Sequence, residues 1–111
     1  SRNIRVTRIV DTFLEHARIW YFGNGGNPKL FLGSPDWMRR NLCRRIEAVT
    51  PILDPDAKQE LIDMLSIQLS DKRKACFVDE NLRNCWKSAH PQKEKVRSQY
   101  TFYEYLKEKT E

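Results

Sequence analysis

The apolar residues near the start of the chain follow a helical spacing. They occupy positions i, i+3, i+4 and i+7, as Val6, Ile9, Val10 and Phe13. A helix that packs one face against a core shows this spacing. The pattern therefore predicts a short helix over residues 7–15 that ends at His16.

Two short runs rich in aromatic and branched residues follow, at residues 18–22 and 29–32. The segment between them begins Gly23-Asn24-Gly25-Gly26, and glycine adopts positive φ at little steric cost. This arrangement predicts a β-hairpin. Residues 42–49, which partly alternate between polar and apolar side chains, predict a third strand.

The second half of the chain carries clearer helix signals. Asp54 can cap a helix that starts at Pro55, with leucines along one face at Leu61, Leu65 and Leu69. Residues 75–78 predict a short strand, and the polar residues 87–95 predict an exposed loop. Helically spaced apolar residues from Val96 predict a last helix that ends near Glu108. The elements together predict an α/β domain, with a mixed sheet flanked by helices.

Composition narrows the class of protein. The 111 residues suit a single domain over residues 1–111, and 40% hydrophobic with 32% charged residues indicate a soluble globular chain. The net charge of +5 favours anionic partners. Three widely spaced cysteines argue against a disulfide framework or a zinc site. The start lacks a signal-peptide pattern, so we expect a cytoplasmic protein, and the missing initial Met suggests a piece of a longer one.

His16 is the first candidate for chemistry, because it lies where the predicted helix gives way to a strand. A lone histidine is more often structural or merely exposed, and His90 is expected to be simply solvated. Arginines cluster nearby and suit bidentate contacts with phosphate, although a solvated basic face is an equally good explanation. They are Arg18, Arg39, Arg40, Arg44 and Arg45. The glycine-rich loop lacks the spacing of a phosphate-binding loop.

Several motifs in order resemble the last domain of the polyphosphate kinases of the first type. The leading motif reads Phe13-Leu14-Glu15-His16-x-Arg18-Ile19-x-Tyr21-Phe22-x-Asn24-Gly25-Gly26. It is followed by Asp36-Trp37-Met38-x-Arg40-Asn41, Arg45-x-Glu47, Pro51-Ile52 and Lys95-Val96-Arg97-Ser98-Gln99. The resemblance covers nearly the whole chain. Cys43, where an aspartate is common, and Pro35, in place of a small residue, depart from the pattern.

The resemblance implies a C-terminal, second phospholipase D-like domain of a kinase that moves the terminal phosphate of ATP to polyphosphate and back. It implies that His16 is catalytic and lies by the ATP phosphates, while a phosphohistidine forms in the preceding domain. Arg18, Arg40 and Arg45 are then candidates for phosphate or polyphosphate contact. Ser34 and Asp36 stand where phospholipase D enzymes have GSxN, and are expected to orient the site.

The same resemblance sets the expected ligands and partners. ATP, ADP and polyphosphate are the expected substrates, with Mg²⁺ bound by residues outside this chain and no metal ligand within it. The expected partners are the preceding catalytic domain and, in a homo-oligomer, further copies of the full-length enzyme, with no nucleic acid. The chain alone should be inactive, and membrane association of the parent is left open.

Two other classes of function compete with the kinase. A non-catalytic module that binds nucleic acid or another polyanion needs only the basic charge. A phospholipase D-like phosphodiesterase would share the motifs, but its HxKxxxxD pattern calls for aspartate at position 23, where this chain has Gly23. Loss of His16 distinguishes the first alternative, because binding by charge alone would survive it.

Overall fold

The computed structural model describes residues 2–33 and 49–110, and these form six strands and two α-helices. The strands are β1 (Thr7–Ile9), β2 (Ile19–Phe22), β3 (Lys29–Gly33), β4 (Val49–Pro51), β5 (Ala75–Val78) and β6 (Asn84–Trp86). The helices are α1 (Pro55–Ser70) and α2 (Ser98–Thr110), with short 3-10 turns at Asn24–Gly26 and Pro91–Lys93.

The described strands make two separate sheets, ordered β1-β5-β6 and β2-β3-β4. Every pairing within residues 2–33 and 49–110 is antiparallel. The combination of sheet and helix is therefore confirmed, whereas the single mixed sheet is replaced, in this part of the chain, by two antiparallel sheets. Antiparallel pairing needs no helical crossover between neighbouring strands, which suits the short strands seen here.

Backbone contacts divide the chain into two compact units. We call residues 1–14 with 62–111 the terminal unit, and residues 15–61 the hairpin unit. Helix α1 contributes residues to both. Neither described helix has the length and apolar character required to cross a membrane.

The predicted helix over residues 7–15 is wrong, because residues 7–9 form strand β1 of the terminal unit. Thr7 pairs with Phe77 and Ile9 with Ala75, and the Val78 N–H donates to the Val6 carbonyl at 3.0 Å. Thr7 and Ile9 are half-buried while Arg8 between them is exposed, which is the alternation of a strand. The segment is rich in β-branched residues, and pairing with β5 outweighs its helical spacing.

The terminal unit has its core around strand β5 and the end of α1. Ala75 and Cys76 are 0% and 4% exposed. The Tyr105 hydroxyl of α2 donates to Asp63 Oδ2 of α1 at 2.5 Å, which joins the two helices within this unit. The strand predicted at residues 75–78 is confirmed, and β6, which the sequence did not predict, pairs beside it.

The hairpin unit confirms the predicted β2–β3 hairpin. Ile19 pairs with Leu32 and Phe22 with Lys29, and the positive φ of Gly25 (63°) and Gly26 (95°) turns the chain between them. Leu30 is 1% exposed and forms the core of this unit. Strand β4 pairs with β3, but the third strand predicted at residues 42–49 lies almost wholly outside the described residues.

Helix α1 begins as predicted. Asp54 Oδ1 accepts hydrogen bonds from the backbone N–H groups of Asp56 at 2.8 Å and Ala57 at 3.3 Å, which satisfies donors that the first helical turn leaves open. Of the three leucines expected on its buried face, Leu61 and Leu65 are half-buried, but Leu69 is 67% exposed. The apolar stripe is therefore shorter than the sequence predicts.

Candidate functional site

His16 lies in the irregular segment that leads into β2, and its side chain is exposed. Arg18, two residues later, is half-buried, and its Nη1 donates a hydrogen bond to the His16 carbonyl oxygen at 3.0 Å. The guanidinium is thereby tied to the backbone that carries the imidazole. The structure thus brings together the first two of the predicted site residues.

The end of β3, which leads into the Gly33-Ser34-x-Asp36 motif, lies close to Arg18. The N–H of Gly33 donates to the Arg18 carbonyl at 3.2 Å, so the end of β3 lies opposite Arg18. Gly33 is the last described residue before Ser34. Ser34, Asp36, Arg40 and Arg45 lie outside the described residues.

The segment just before His16 in sequence is held by α2 within the terminal unit. Arg97 Nε donates to Asp11 Oδ2 at 2.8 Å and its Nη2 donates to Asp11 Oδ1 at 2.5 Å. The Asp11 side chain is 1% exposed. The hydrogen bonds from Arg97 lower the pKa of Asp11 from 3.8 to about 2, and the same contact raises the pKa of Arg97. A bidentate pair of this kind fixes the relative orientation of the two side chains and also strengthens the contact.

Gln99 holds the same segment two residues further along. Its Nε2 donates to the Phe13 carbonyl at 2.7 Å and its Oε1 accepts from the Phe13 N–H at 3.0 Å. The side-chain amide therefore pairs with one backbone residue as a neighbouring strand would. The Phe13 ring also meets Tyr100 edge-on, with centroids 6.5 Å apart.

Asp71 fixes the start of α2. Its fully buried carboxylate accepts from the backbone N–H groups of Arg73 at 2.9 Å, Lys74 at 2.7 Å and Ser98 at 2.7 Å. Arg97 is the N-cap residue, since its carbonyl accepts from Thr101 at 2.9 Å. Helix α2 starts at Ser98, two residues after the predicted start, because the carboxylate that caps it comes from Asp71.

These contacts explain residues that sequence reasoning left without a role. In the sequence the motif Lys95-Val96-Arg97-Ser98-Gln99 carries only a family resemblance, and no local signal marks Asp11 or Asp71. Asp11 and Arg97 are 86 positions apart in the chain. No local pattern connects residues at that separation, and only their types, a carboxylate and a guanidinium, hint at a pair.

The described residues offer no candidate metal centre. Within residues 2–33 and 49–110, no three His, Cys, Asp or Glu side chains come together as they would around an ion. The Asp11 carboxylate is paired with Arg97, and the oxygens of the Asp71 carboxylate accept hydrogen bonds from three backbone N–H groups. These two carboxylates therefore do not fit Mg²⁺, which prefers open carboxylate oxygens and water.

The arrangement at His16 suits an anion better than a metal. An exposed imidazole can donate or accept a proton, and the guanidinium hydrogen-bonded to the carbonyl of the same residue supplies fixed positive charge. Both properties are useful beside phosphate oxygens, where negative charge is spread over several atoms.

Comparison with known proteins shows the family to which this chain belongs. A family model described as polyphosphate kinase C-terminal domain 2 matches residues 1–99. The polyphosphate kinase of Escherichia coli (strain K12) is 46% identical over 107 residues, which cover 96% of this chain and 15% of that protein. The polyphosphate kinase of Vibrio vulnificus (strain YJ016) is 44% identical over 107 residues, with the same coverage.

A solved structure agrees in both sequence and fold. The crystal structure of polyphosphate kinase from Porphyromonas gingivalis is 53% identical to this chain, with a TM-score of 0.90. The match covers 97% of this chain and 16% of that one, so the chain spans a small part of the length of these relatives. With a family model over most of its length and close relatives of one kind, the chain belongs to the polyphosphate kinase family and corresponds to its C-terminal domain 2.

Proposed function

We propose that this chain is the C-terminal domain of an enzyme that transfers the terminal phosphate of ATP to polyphosphate and back. In this proposal the domain is phospholipase D-like, and the phosphohistidine forms in the preceding domain of the same parent chain. The observation that carries the proposal is that His16 is exposed and that the Arg18 guanidinium is hydrogen-bonded to the backbone carbonyl of His16. Family membership supports the choice of substrates.

Phosphoryl transfer requires little covalent chemistry from such a domain. It requires that the phosphates be positioned and that their developing charge be stabilised. His16 would hydrogen-bond the nucleotide phosphates or hold a proton for the leaving oxygen. Arg18 would add fixed positive charge, because its guanidinium is hydrogen-bonded to the backbone carbonyl of the residue that carries the imidazole.

The remaining residues of the proposed site belong to the segment between β3 and β4. Arg40 and Arg45 would contact polyphosphate, and Ser34 and Asp36 would orient the groups around them. Mg²⁺, if the parent uses it, would be bound by residues outside this chain. ATP, ADP and polyphosphate are the proposed substrates, within a homo-oligomeric cytoplasmic parent enzyme, and the chain by itself would not turn over.

The test is substitution of His16 in the full-length parent enzyme. His16→Ala and His16→Gln should each lower the rate of ATP-dependent polyphosphate synthesis by roughly a hundredfold or more, the usual size of a general acid–base contribution. ATP formation from ADP and polyphosphate should fall in parallel, since both directions use one site. Arg18→Gln should lower the rate by about tenfold, as expected for loss of one charge-assisted contact.

Lys29→Gln is the matched control. Lys29 is an exposed cation in β3, opposite Phe22 at the turn end of the hairpin, whereas Arg18 precedes the other end of β2. It should keep nearly wild-type rates. Full synthesis by His16→Ala would refute the proposal. Anion binding without any dependence on His16 would favour the non-catalytic module, and cleavage of a phosphodiester substrate by the parent would favour the hydrolase.

A further inference from the structure

A groove of about 750 Å³ lies in the terminal unit beside β6, an edge strand of its sheet. Its lining includes Arg73, Lys74, Trp86, His90 and Lys93. No carboxylate is among the residues that line it in the described part of the chain. We call this surface the Trp86 groove. Its three permanent cations and its volume suit a small polyanion.

The carboxylates nearest in sequence to these cations are already engaged. Asp71 is fully buried and accepts hydrogen bonds from backbone N–H groups at its own turn and at the start of α2. Glu94 accepts a hydrogen bond from the Ser88 hydroxyl at 2.8 Å. Neither carboxylate lines the groove, so the lining side chains, with Arg73, Lys74 and Lys93 among them, carry a net positive charge.

Two segments that line the groove have ordered backbone. In the first, the Asp71 carboxylate fixes the N–H groups of Arg73 and Lys74. In the second, the 3-10 turn Pro91–Lys93 is closed by a hydrogen bond from the Lys93 N–H to the His90 carbonyl at 3.0 Å. A ligand would meet side chains that start from fixed positions, which lowers the entropy cost of binding.

Trp86 decides which polyanion fits best. It pairs with Cys76 across the sheet, yet the residue is 58% exposed. A nucleobase can stack on such a ring, whereas an inorganic phosphate chain has no face to do so. We propose that the Trp86 groove binds a nucleoside polyphosphate, with the base against Trp86 and the phosphates on Arg73, Lys74 and Lys93. This site is additional to the nucleotide contact proposed at His16.

Photolabelling of the full-length enzyme with 8-azido-ADP tests the proposal. Under the proposed function an ADP analogue accepts phosphate only from polyphosphate, so leaving polyphosphate out prevents turnover. The azide lies on the base of the probe, so it labels residues close to the bound base. After irradiation and proteolysis, mass spectrometry should find label in the peptides that contain Trp86 or residues 87–93. Because binding needs no turnover, this readout is independent of whether His16 is catalytic.

Two variants and one control make the test specific. Arg73→Gln/Lys93→Gln and Trp86→Leu should each reduce labelling of these peptides by about tenfold, through lost phosphate contacts and lost stacking respectively. The double variant changes only lining side chains and guards against a Trp86→Leu protein that fails to fold. Lys72→Gln removes an exposed cation next to Arg73 that does not line the groove, and it should label like the wild type.

Competition identifies the ligand class. ATP should block labelling at concentrations about tenfold lower than tripolyphosphate, because only ATP can stack on Trp86. Equal competition by tripolyphosphate, with no effect of Trp86→Leu, would overturn the nucleotide proposal in favour of an inorganic phosphate chain. Stronger competition by a single-stranded oligonucleotide would overturn it in favour of nucleic acid. Absence of label from these peptides would exclude the site altogether.

Discussion

Replacing Asp11 by Asn removes the charge of a carboxylate that the fold holds almost entirely away from water. The Asp11 side chain is 1% exposed and pairs with Arg97 through two hydrogen bonds. The fall of its pKa from 3.8 to about 2 corresponds to about 2 kcal/mol of folding free energy at neutral pH. We therefore expect Asp11→Asn to lower the free energy of unfolding by about this amount.

The effect should depend on pH in a direction that the pKa fixes. Because the pKa of Asp11 is lower in the folded chain, its stabilisation is complete above about pH 4. It is lost as pH falls through about 2, where the folded carboxylate takes up a proton. Wild type and Asp11→Asn should therefore differ most at neutral pH and converge in acid.

Urea unfolding of both proteins, followed by circular dichroism from pH 7 down to pH 2.5, measures this difference. Arg97→Gln at neutral pH should cost more, about 3 kcal/mol, because it leaves the buried carboxylate unpaired. Combining the two substitutions in a double-mutant cycle should return a coupling free energy of about 2 kcal/mol. The m-values should stay similar, since the area exposed on unfolding is unchanged.

Arg83→Gln provides the control. Arg83 forms a salt bridge with Asp79 at 2.9 Å, but its side chain is 73% exposed, so solvent screens the pair. Its loss should leave the free energy of unfolding nearly unchanged at every pH. The reasoning would be refuted if Asp11→Asn were as stable as wild type at pH 7, or if its deficit were the same at pH 7 and pH 2.5.

Three further predictions concern buried groups of the terminal unit and the cap of α1. Asp71→Ala should destabilise the chain by roughly 3 kcal/mol in urea unfolding, because three backbone N–H groups lose their acceptor. Ser98→Ala should cost nothing in the same assay, because the buried Ser98 hydroxyl has no hydrogen-bond partner in the described structure. Asp54→Ala should cost about 1 kcal/mol as a lost N-cap, seen as a lower urea midpoint.

A thiol-specific reagent should distinguish two cysteines in the native chain. Cys85 is exposed, whereas Cys76 is 4% exposed and burial raises the pKa of its thiol, which keeps the unreactive protonated form. Peptide mapping after brief treatment at neutral pH should therefore find label at Cys85 well before Cys76. Equal labelling of the two would contradict the placement of Cys76 in the core.

The sequence could predict the elements whose signals are local. The glycines between β2 and β3 specify a turn within a few residues of the strands they join, and Gly25 and Gly26 do adopt positive φ. Asp54 followed by Pro55 specifies the start of α1 for the same reason, since a cap acts on the next two or three N–H groups. His16 and Arg18 could be selected from the motif alone, and their hydrogen bond is also local.

Tertiary structure decided what depends on residues far apart in the chain. Residues 6–13 have a helical spacing, but Thr7 finds its partner at Phe77, and that pairing makes the segment a strand. Helix α2 begins at Ser98 because the carboxylate of Asp71, 27 positions earlier, accepts its first N–H. Arg97 and Gln99 acquire their roles only when folding brings Asp11 and Phe13 to them. Such contacts leave no periodic trace in a single sequence, because each depends on a loop closure and not on neighbouring residues.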